Sequence, residues 1–219
     1  VNLFYIRKYV DVSFTFSIPF RKFFVPMSIL FLNSLAVIIY VNSDITILGM
    51  FESDSVVGVY SFSSKIYNIL KQLVNAVIVV AVPRLVVTLV SDVQRYRKYL
   101  EDIFNLLILI LLPISAGLFM LSKSIILIVG GQEYLVGESV LRLLSFSIIF
   151  ALISSIYTNC MLIIGREEKK ILIGTSISAI FNIVGNLILI PYIGMIGAAL
   201  TTVLAEFLNM LVQRYYSKT

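Results

Sequence analysis

Residues 171–205, ILIGTSISAIFNIVGNLILIPYIGMIGAALTTVLA, form an uncharged run too long for a single crossing of about 30 Å of hydrocarbon. The turn Pro191-Tyr-Ile-Gly194 in its middle divides it into two helices. Working outward, uncharged apolar runs of spanning length also occupy 23–43, 103–122 and 143–164. The stretch 56–90 has helical length but carries Lys65, Lys71 and Arg84. Together these segments predict six spans, at about 23–48, 56–90, 100–122, 139–164, 170–190 and 194–215. Residues 1–22 read as a flank that closes a preceding span and links to this bundle. Composition agrees: 59% of the 219 residues are hydrophobic, 13% are charged, and the mean hydropathy is +1.01. The expected fold class is all-α integral membrane.

Charge supplies an independent check. With the flank on one side and alternation at each span, one side holds Arg7, Lys8, Arg21, Lys22, Arg95, Arg97, Lys98, Arg166, Lys169, Lys170, Arg214 and Lys218. The other holds Lys123, and Lys65, Lys71, Arg84 and Arg142 fall inside spans. By the positive-inside rule, both termini are expected in the cytoplasm. A skew of twelve to one would vanish if one span were missed or invented. The same alternation makes the net charge of +5 a membrane signature and not a nucleic-acid one.

Chemistry is bounded as well. There is no His and a single Cys, Cys160, so imidazole or thiolate metal sites, a histidine base and a disulfide framework are not available. No cofactor, resident metal, catalytic residue or enzymatic activity is expected. No signal peptide is read at VNLFYIRKYV. The segment SIILIVGGQEY (124–134) is too short to cross and reads as an external interfacial or re-entrant turn.

At 100° per residue, Ser61, Ser64, Lys65, Asn68, Lys71, Gln72 and Asn75 fall within about 120° of one helix face. No other residue between 61 and 75 falls inside that arc, and the stripe runs roughly 21 Å. A Lys near the bilayer centre costs on the order of 2.5 to 3.5 kcal/mol on insertion scales, so two on one face require a compensating environment. A hydrated cavity supplies one, and two ammoniums among amides suit a diphosphate or other anionic headgroup. In the competing reading both lysines snorkel to the interfaces or pair with acids in a dry bundle; snorkelling suits Lys65, near the outer end, better than the deeper Lys71.

Weaker polar faces are Asn33, Tyr40 and Asp44 on the first span, Thr175, Ser178, Asn182 and Asn186 on the fifth, and Thr202, Glu206, Asn209 and Gln213 on the sixth. The fifth-span set reads as small polar residues packing between helices. Asp44 and Glu206 are candidate cavity or ion-coupling acids. Asp44 is placed at the external end of its span, where solvation competes with that role, and Glu206 deeper, where pairing with a Lys is the alternative. Arg84 after Pro83 reads as a kink with a cytoplasmic-end Arg, and Arg142 as a cap at the outer end of its span.

The run DITILGMF (44–51), then VGVYSFSSKI (57–66), VPRL (82–85) and SDVQRYRKYL (91–100), resembles the seventh and eighth spans and following loop of the polysaccharide repeat-unit flippases (Wzx type) of the multidrug/oligosaccharidyl-lipid/polysaccharide exporter superfamily. The pattern continues through IILIVGGQEY, VLRLLSF, NCMLIIGREEKK and NIVGNLILIPYIGMIGAALTTVLAE. The resemblance covers essentially the whole chain, with diffuse motifs of Gly, Pro and spaced polar residues. It implies the C-terminal lobe of a MATE-like two-lobe transporter, with a missing N-terminal six-helix lobe. YIRKYV then corresponds to the exit from a sixth span.

The implied activity is alternating-access transfer of undecaprenyl-diphosphate-linked oligosaccharide across a bacterial plasma membrane, for capsule or O-antigen synthesis. The implied partners are that lipid-linked oligosaccharide, membrane lipid and the polysaccharide polymerase machinery, with no nucleic acid. Lys65 and Lys71 match the basic cavity character that the resemblance implies. A multidrug or toxin cation antiporter of the same superfamily is the nearest alternative, and it should prefer acidic and aromatic cavity residues. A membrane-embedded polymerase or glycosyltransferase would carry a long external loop or a soluble catalytic domain, which this chain lacks. A non-transporting scaffold would tolerate loss of the stripe.

Overall fold

The computed structural model describes residues 20–218. The expected N-terminal flank therefore lies, up to residue 19, outside the described residues. Among the described residues are five long helices: α1 (Phe20–Phe51), α2 (Asp54–Ser91), α3 (Val93–Val129), α4 (Glu138–Ile156) and α5 (Glu168–Ser217). A 3₁₀ turn, Gln132–Gly137, links α3 to α4, and a π-helical turn, Tyr157–Leu162, ends α4. Each helix, with those turns counted into α4, is long and apolar enough to cross a membrane.

The last helix is two. Fifty residues at 1.5 Å each would reach about 75 Å, more than twice the hydrocarbon thickness. The chain instead breaks at Ile193 (φ −130°, ψ 15°) and Gly194 (φ +53°, ψ −136°). Only a residue without a Cβ takes that second conformation cheaply, and Pro191 precedes it. The two arms, 168–192 and 195–217, fold back on each other. Their approach is close enough that a Cβ on Gly185 would stand 2.7 Å from Cγ2 of Thr201. Six membrane-length helical segments result among the described residues, and the chain is a multi-pass membrane protein.

In lipid, helices gain little from apolar burial and associate through close packing, small residues and hydrogen bonds. α4 sits at the centre, with Leu141, Leu144, Ile148 and Leu152 essentially inaccessible. α3 and α5 pack on it from two sides, α2 lies across it, and α1 leans chiefly on α5.

One local expectation changes. SIILIV is not an interfacial or re-entrant turn: 124–129 continue α3, with Ile126 fully buried, and the helix stops at Gly130. The Gly-rich remainder leads into the 3₁₀ turn, whose Tyr134 ring packs 4.5 Å from Phe62 in the N-terminal part of α2. At the opposite end, α2 remains helical through Pro83 to Ser91, with Arg84 on its last two turns.

Candidate functional site

A cavity of about 480 Å³ opens between α1, α2, α4 and both arms of α5. The stripe contributes Asn68, Lys71, Gln72 and Asn75. Facing them are Asn33 and Tyr40 from α1, Thr175 from the first arm of α5, and Glu206, Asn209 and Gln213 from the second. α4 supplies Ser154 and Ser155, and the π-helical turn adds Thr158 and Asn159. Sequence reasoning missed those four. A π turn widens the helix by one residue and is frequent at functional sites, yet it carries no sequence signature.

The stripe is not used along its whole length. Ser64 lines a small adjoining space of about 20 Å³ with Asp44, Tyr67 and Thr202. Lys65 is exposed and Ser61 half-buried, and neither lines these two cavities.

Lys71 Nζ donates to Oε1 of Glu206 at 2.5 Å, and the Tyr67 ring lies 5.5 Å from the ammonium. The two side chains are unequally enclosed, Lys71 at 27% exposure and Glu206 at 4%. The cavity thus presents an ammonium whose neutralising carboxylate sits behind it. On the other flank, Ser155 Oγ donates to Oδ1 of Asn75, and Asn159 Nδ2 donates to Ser155 Oγ at 2.8 Å, tying α4 to α2. Tyr40 OH, Asn33 Oδ1 and Gln213 Oε1 are buried without a protein partner, although their residues line the cavity. Buried polar atoms are nearly always paired, so these three stand out beside the cavity.

Asp44 is not at a solvated helix end. α1 runs on to Phe51, and Asp44 is 6% exposed. Its Oδ2 accepts from Tyr60 OH at 2.7 Å and lies 2.5 Å from Thr202 Oγ1, while Oδ1 accepts from Asn186 Nδ2 at 2.6 Å. Asn182 Oδ1 accepts from Asn186 and from Ser43, and Thr201 Oγ1 donates to Asn186 Oδ1. The fifth-span polar face therefore does more than pack: it closes a network from α1 through both arms of α5 to α2. The Thr202 hydroxyl is also 3.0 Å from the carbonyl of Ala198, and its one hydrogen cannot serve both acceptors. Among the described residues no cation lies within ion-pair reach of Asp44.

Arg142 does more than cap: it pairs with Glu138 at 2.6 Å and stands over the Phe119 ring. Among the described residues, no three acidic or cysteine side chains come together as a metal-binding group.

Comparisons with known proteins follow the same architecture. The structure resembles that of the "Lipid II flippase MurJ, inward closed conformation", with a TM-score of 0.67 over 98% of this chain and 47% of that one; at 19% identity the likeness concerns the fold. "Uncharacterized membrane protein MJ1068" of Methanocaldococcus jannaschii is 34% identical over 128 residues, 55% of this chain and 24% of that protein. "Probable low-salt glycan biosynthesis flippase Agl15" of Haloferax volcanii is 26% identical over 180 residues, 79% of this chain and 37% of that protein. The chain thus spans between a quarter and a half of the length of the proteins it matches. Residues 1–139, well over half of the chain, match the model of the family described as "Polysaccharide biosynthesis protein". By that match the chain belongs to the polysaccharide biosynthesis protein family.

Proposed function

We infer that the chain is one lobe of a two-lobe, MATE-like flippase that carries a lipid-linked oligosaccharide from the cytoplasmic to the outer face of the plasma membrane by alternating access. The carrier implied by the resemblance is undecaprenyl diphosphate, and the product a capsule or O-antigen polysaccharide. The observation that carries the reading is the cavity wall. Lys71 presents its ammonium beside Asn68, Gln72 and Asn75, which suits a diphosphate with sugars attached. The flippase descriptions of Agl15 and MurJ support it. Both termini lie in the cytoplasm on the twelve-to-one charge skew, which puts the cavity in the cytoplasmic half of the lobe. The missing six-helix lobe supplies the opposite wall, and no bond is broken, so no catalytic residue is needed. The polymerase machinery is the expected recipient of the product.

The two acids take different parts. Glu206 is neutralised by Lys71 and serves the cavity. Asp44, surrounded by neutral oxygens and donors with no cation beside it, is the better ion-coupling acid: a buried carboxylate without a counter-charge calls for a proton or a small cation. One observation favours the cation-antiporter alternative, since Glu206 and Tyr40, an acid and an aromatic, do line the cavity. The 2.5 Å contact with Lys71 pairs the two charges and leaves the wall without net charge of either sign, so the preference for the flippase rests on the amides beside Lys71 and on the flippase relatives.

In the full-length protein at equal expression, Lys71→Ala should impair surface polysaccharide export more than Lys123→Ala. Near-normal export by both variants would overturn the cavity assignment.

A further inference from the structure

On the face of α2 opposite the cavity, a second feature stands apart from transport. Arg84 Nη2 donates to the Tyr99 hydroxyl at 2.7 Å, and Arg95 Nε donates to the same oxygen at 3.1 Å. Their guanidinium carbons lie 4.5 and 5.6 Å from the Tyr99 ring centroid. Two like charges are thus gathered on one neutral phenol, and among the described residues neither has a carboxylate within ion-pair distance. Asp92 accepts from the backbone N–H groups of Gln94 and Arg95 as the cap of α3, while Asp102, one turn along α3 from Tyr99, lines the neighbouring groove itself. Like charges held together repel unless an anion joins them.

Below the pair runs an apolar groove between α2 and α3. Its mouth, about 490 Å³, is bounded by Arg84, Tyr99 and Asp102 above and by Val77, Val80, Ala81 and Leu106 below, with Arg95 joined to its edge through the Tyr99 hydroxyl. It continues into a further space of about 70 Å³ that shares Val77, Ala81 and Leu106 and reaches Ile110. Val80, at 79% exposure, lies open on the outer surface of the bundle. Arg84 stands about seven residues, roughly 10 Å, before the end of α2.

We propose that this groove is a binding site for one anionic phospholipid of the leaflet on the α2–α3 hairpin side, with its phosphate between Arg84 and Arg95 and an acyl chain along Val77, Ala81 and Leu106. Charge complementarity selects an anionic headgroup, since two guanidiniums against the single Asp102 carboxylate leave a net positive charge and offer paired donors to phosphate oxygens. The open wall of the groove selects a lipid over a soluble anion, and basic pockets between helices at the cytoplasmic end are a recurrent form of lipid recognition. The site lies on the opposite face of α2 from the cavity and does not depend on what the cavity carries.

The test is retention of phosphatidylglycerol against phosphatidylcholine by the full-length protein, counted as bound lipids by native mass spectrometry during stepwise delipidation. Wild type should retain phosphatidylglycerol preferentially. Arg84→Gln combined with Arg95→Gln should weaken that retention roughly thirty-fold, from the loss of two basic residues beside the headgroup. Lys123→Gln should leave it unchanged. Ala81→Phe, which fills the groove while keeping both charges, should also release the lipid, and it carries the test if the double variant does not accumulate. Equal retention by the double variant and Lys123→Gln, or wild-type retention by Ala81→Phe, would overturn the site. Displacement of phosphatidylglycerol by a polyprenyl diphosphate at this site would overturn its assignment to bulk phospholipid.

Discussion

Breaking the Lys71–Glu206 pair from either side should have unequal cost, because the two partners are unequally enclosed. In Lys71→Met the Glu206 carboxylate, 4% exposed and with no other hydrogen-bond donor among the described residues, is left without a partner. Stranding one member of a buried pair costs about 3 to 5 kcal/mol. In Glu206→Gln the stranded group is the Lys71 ammonium, 27% exposed at the cavity wall and still beside the Tyr67 ring. Screening through the open side lowers that cost to roughly 1 to 3 kcal/mol. The double variant strands neither charge, so it should recover much of the loss, with a coupling on the order of 2 kcal/mol. The assay is reversible unfolding of the full-length protein in mixed micelles, with export measured in parallel. The double variant should be close to wild type in stability and deficient in export, which separates holding the bundle together from contacting substrate. Additivity of the single variants to within about 0.5 kcal/mol, or a greater loss in Glu206→Gln than in Lys71→Met, would refute this account of the pair.

Other consequences follow from the same geometry. Asp44→Ala leaves Tyr60, Thr202 and Asn186 without their shared acceptor and should destabilise the lobe by at least about 2 kcal/mol in the same unfolding assay. Asp44→Asn should retain more stability and abolish the dependence of export on the ion gradient; unchanged gradient dependence would remove Asp44 from coupling. Gly185→Val must displace Thr201 where the arms of α5 meet and should lower stability by about 1 to 3 kcal/mol, whereas Gly58→Ala, with nothing within 4 Å of the added carbon, should be nearly neutral. In a cysteine-labelling experiment, Lys123→Cys should react with an impermeant maleimide added outside and Lys98→Cys only after permeabilisation; the buried Cys160 should stay unlabelled in both.

What could be read from the residues, and what could not, divides by range. Helical segments and their breaks were legible because they depend on local composition: the uncharged run 171–205 is too long for one crossing, and its Pro-Tyr-Ile-Gly turn is where the backbone breaks. The polar arc of 61–75 was legible because a helix imposes 100° per residue. Which part of it faces the cavity was not. Ser61 and Lys65 fall outside the lining because of where α4 and α5 cross α2. Partnerships were out of reach for the same reason: Lys71 and Glu206 are 135 positions apart, and Asp44 and Thr202 are 158 apart. The burial of Asp44 was misjudged because apolar residues 45–51 extend α1 well beyond it, so the residue lies inside the bundle and not at its edge. SIILIV was short for a span in isolation but could simply prolong the helix before it.

The central claim is that Lys71 meets the anionic headgroup of a lipid-linked oligosaccharide. Its most direct measurement is the binding of a polyprenyl-diphosphate-linked oligosaccharide to the purified full-length protein, comparing Lys71→Arg and Lys71→Glu, each with Glu206→Gln so that position 71 carries the only charge of the former pair. Lys71→Arg should bind within a few-fold of its Glu206→Gln parent, and Lys71→Glu at least about ten-fold more weakly, the loss shrinking in high salt as screening sets in. Binding by Lys71→Glu equal to that parent would contradict the account.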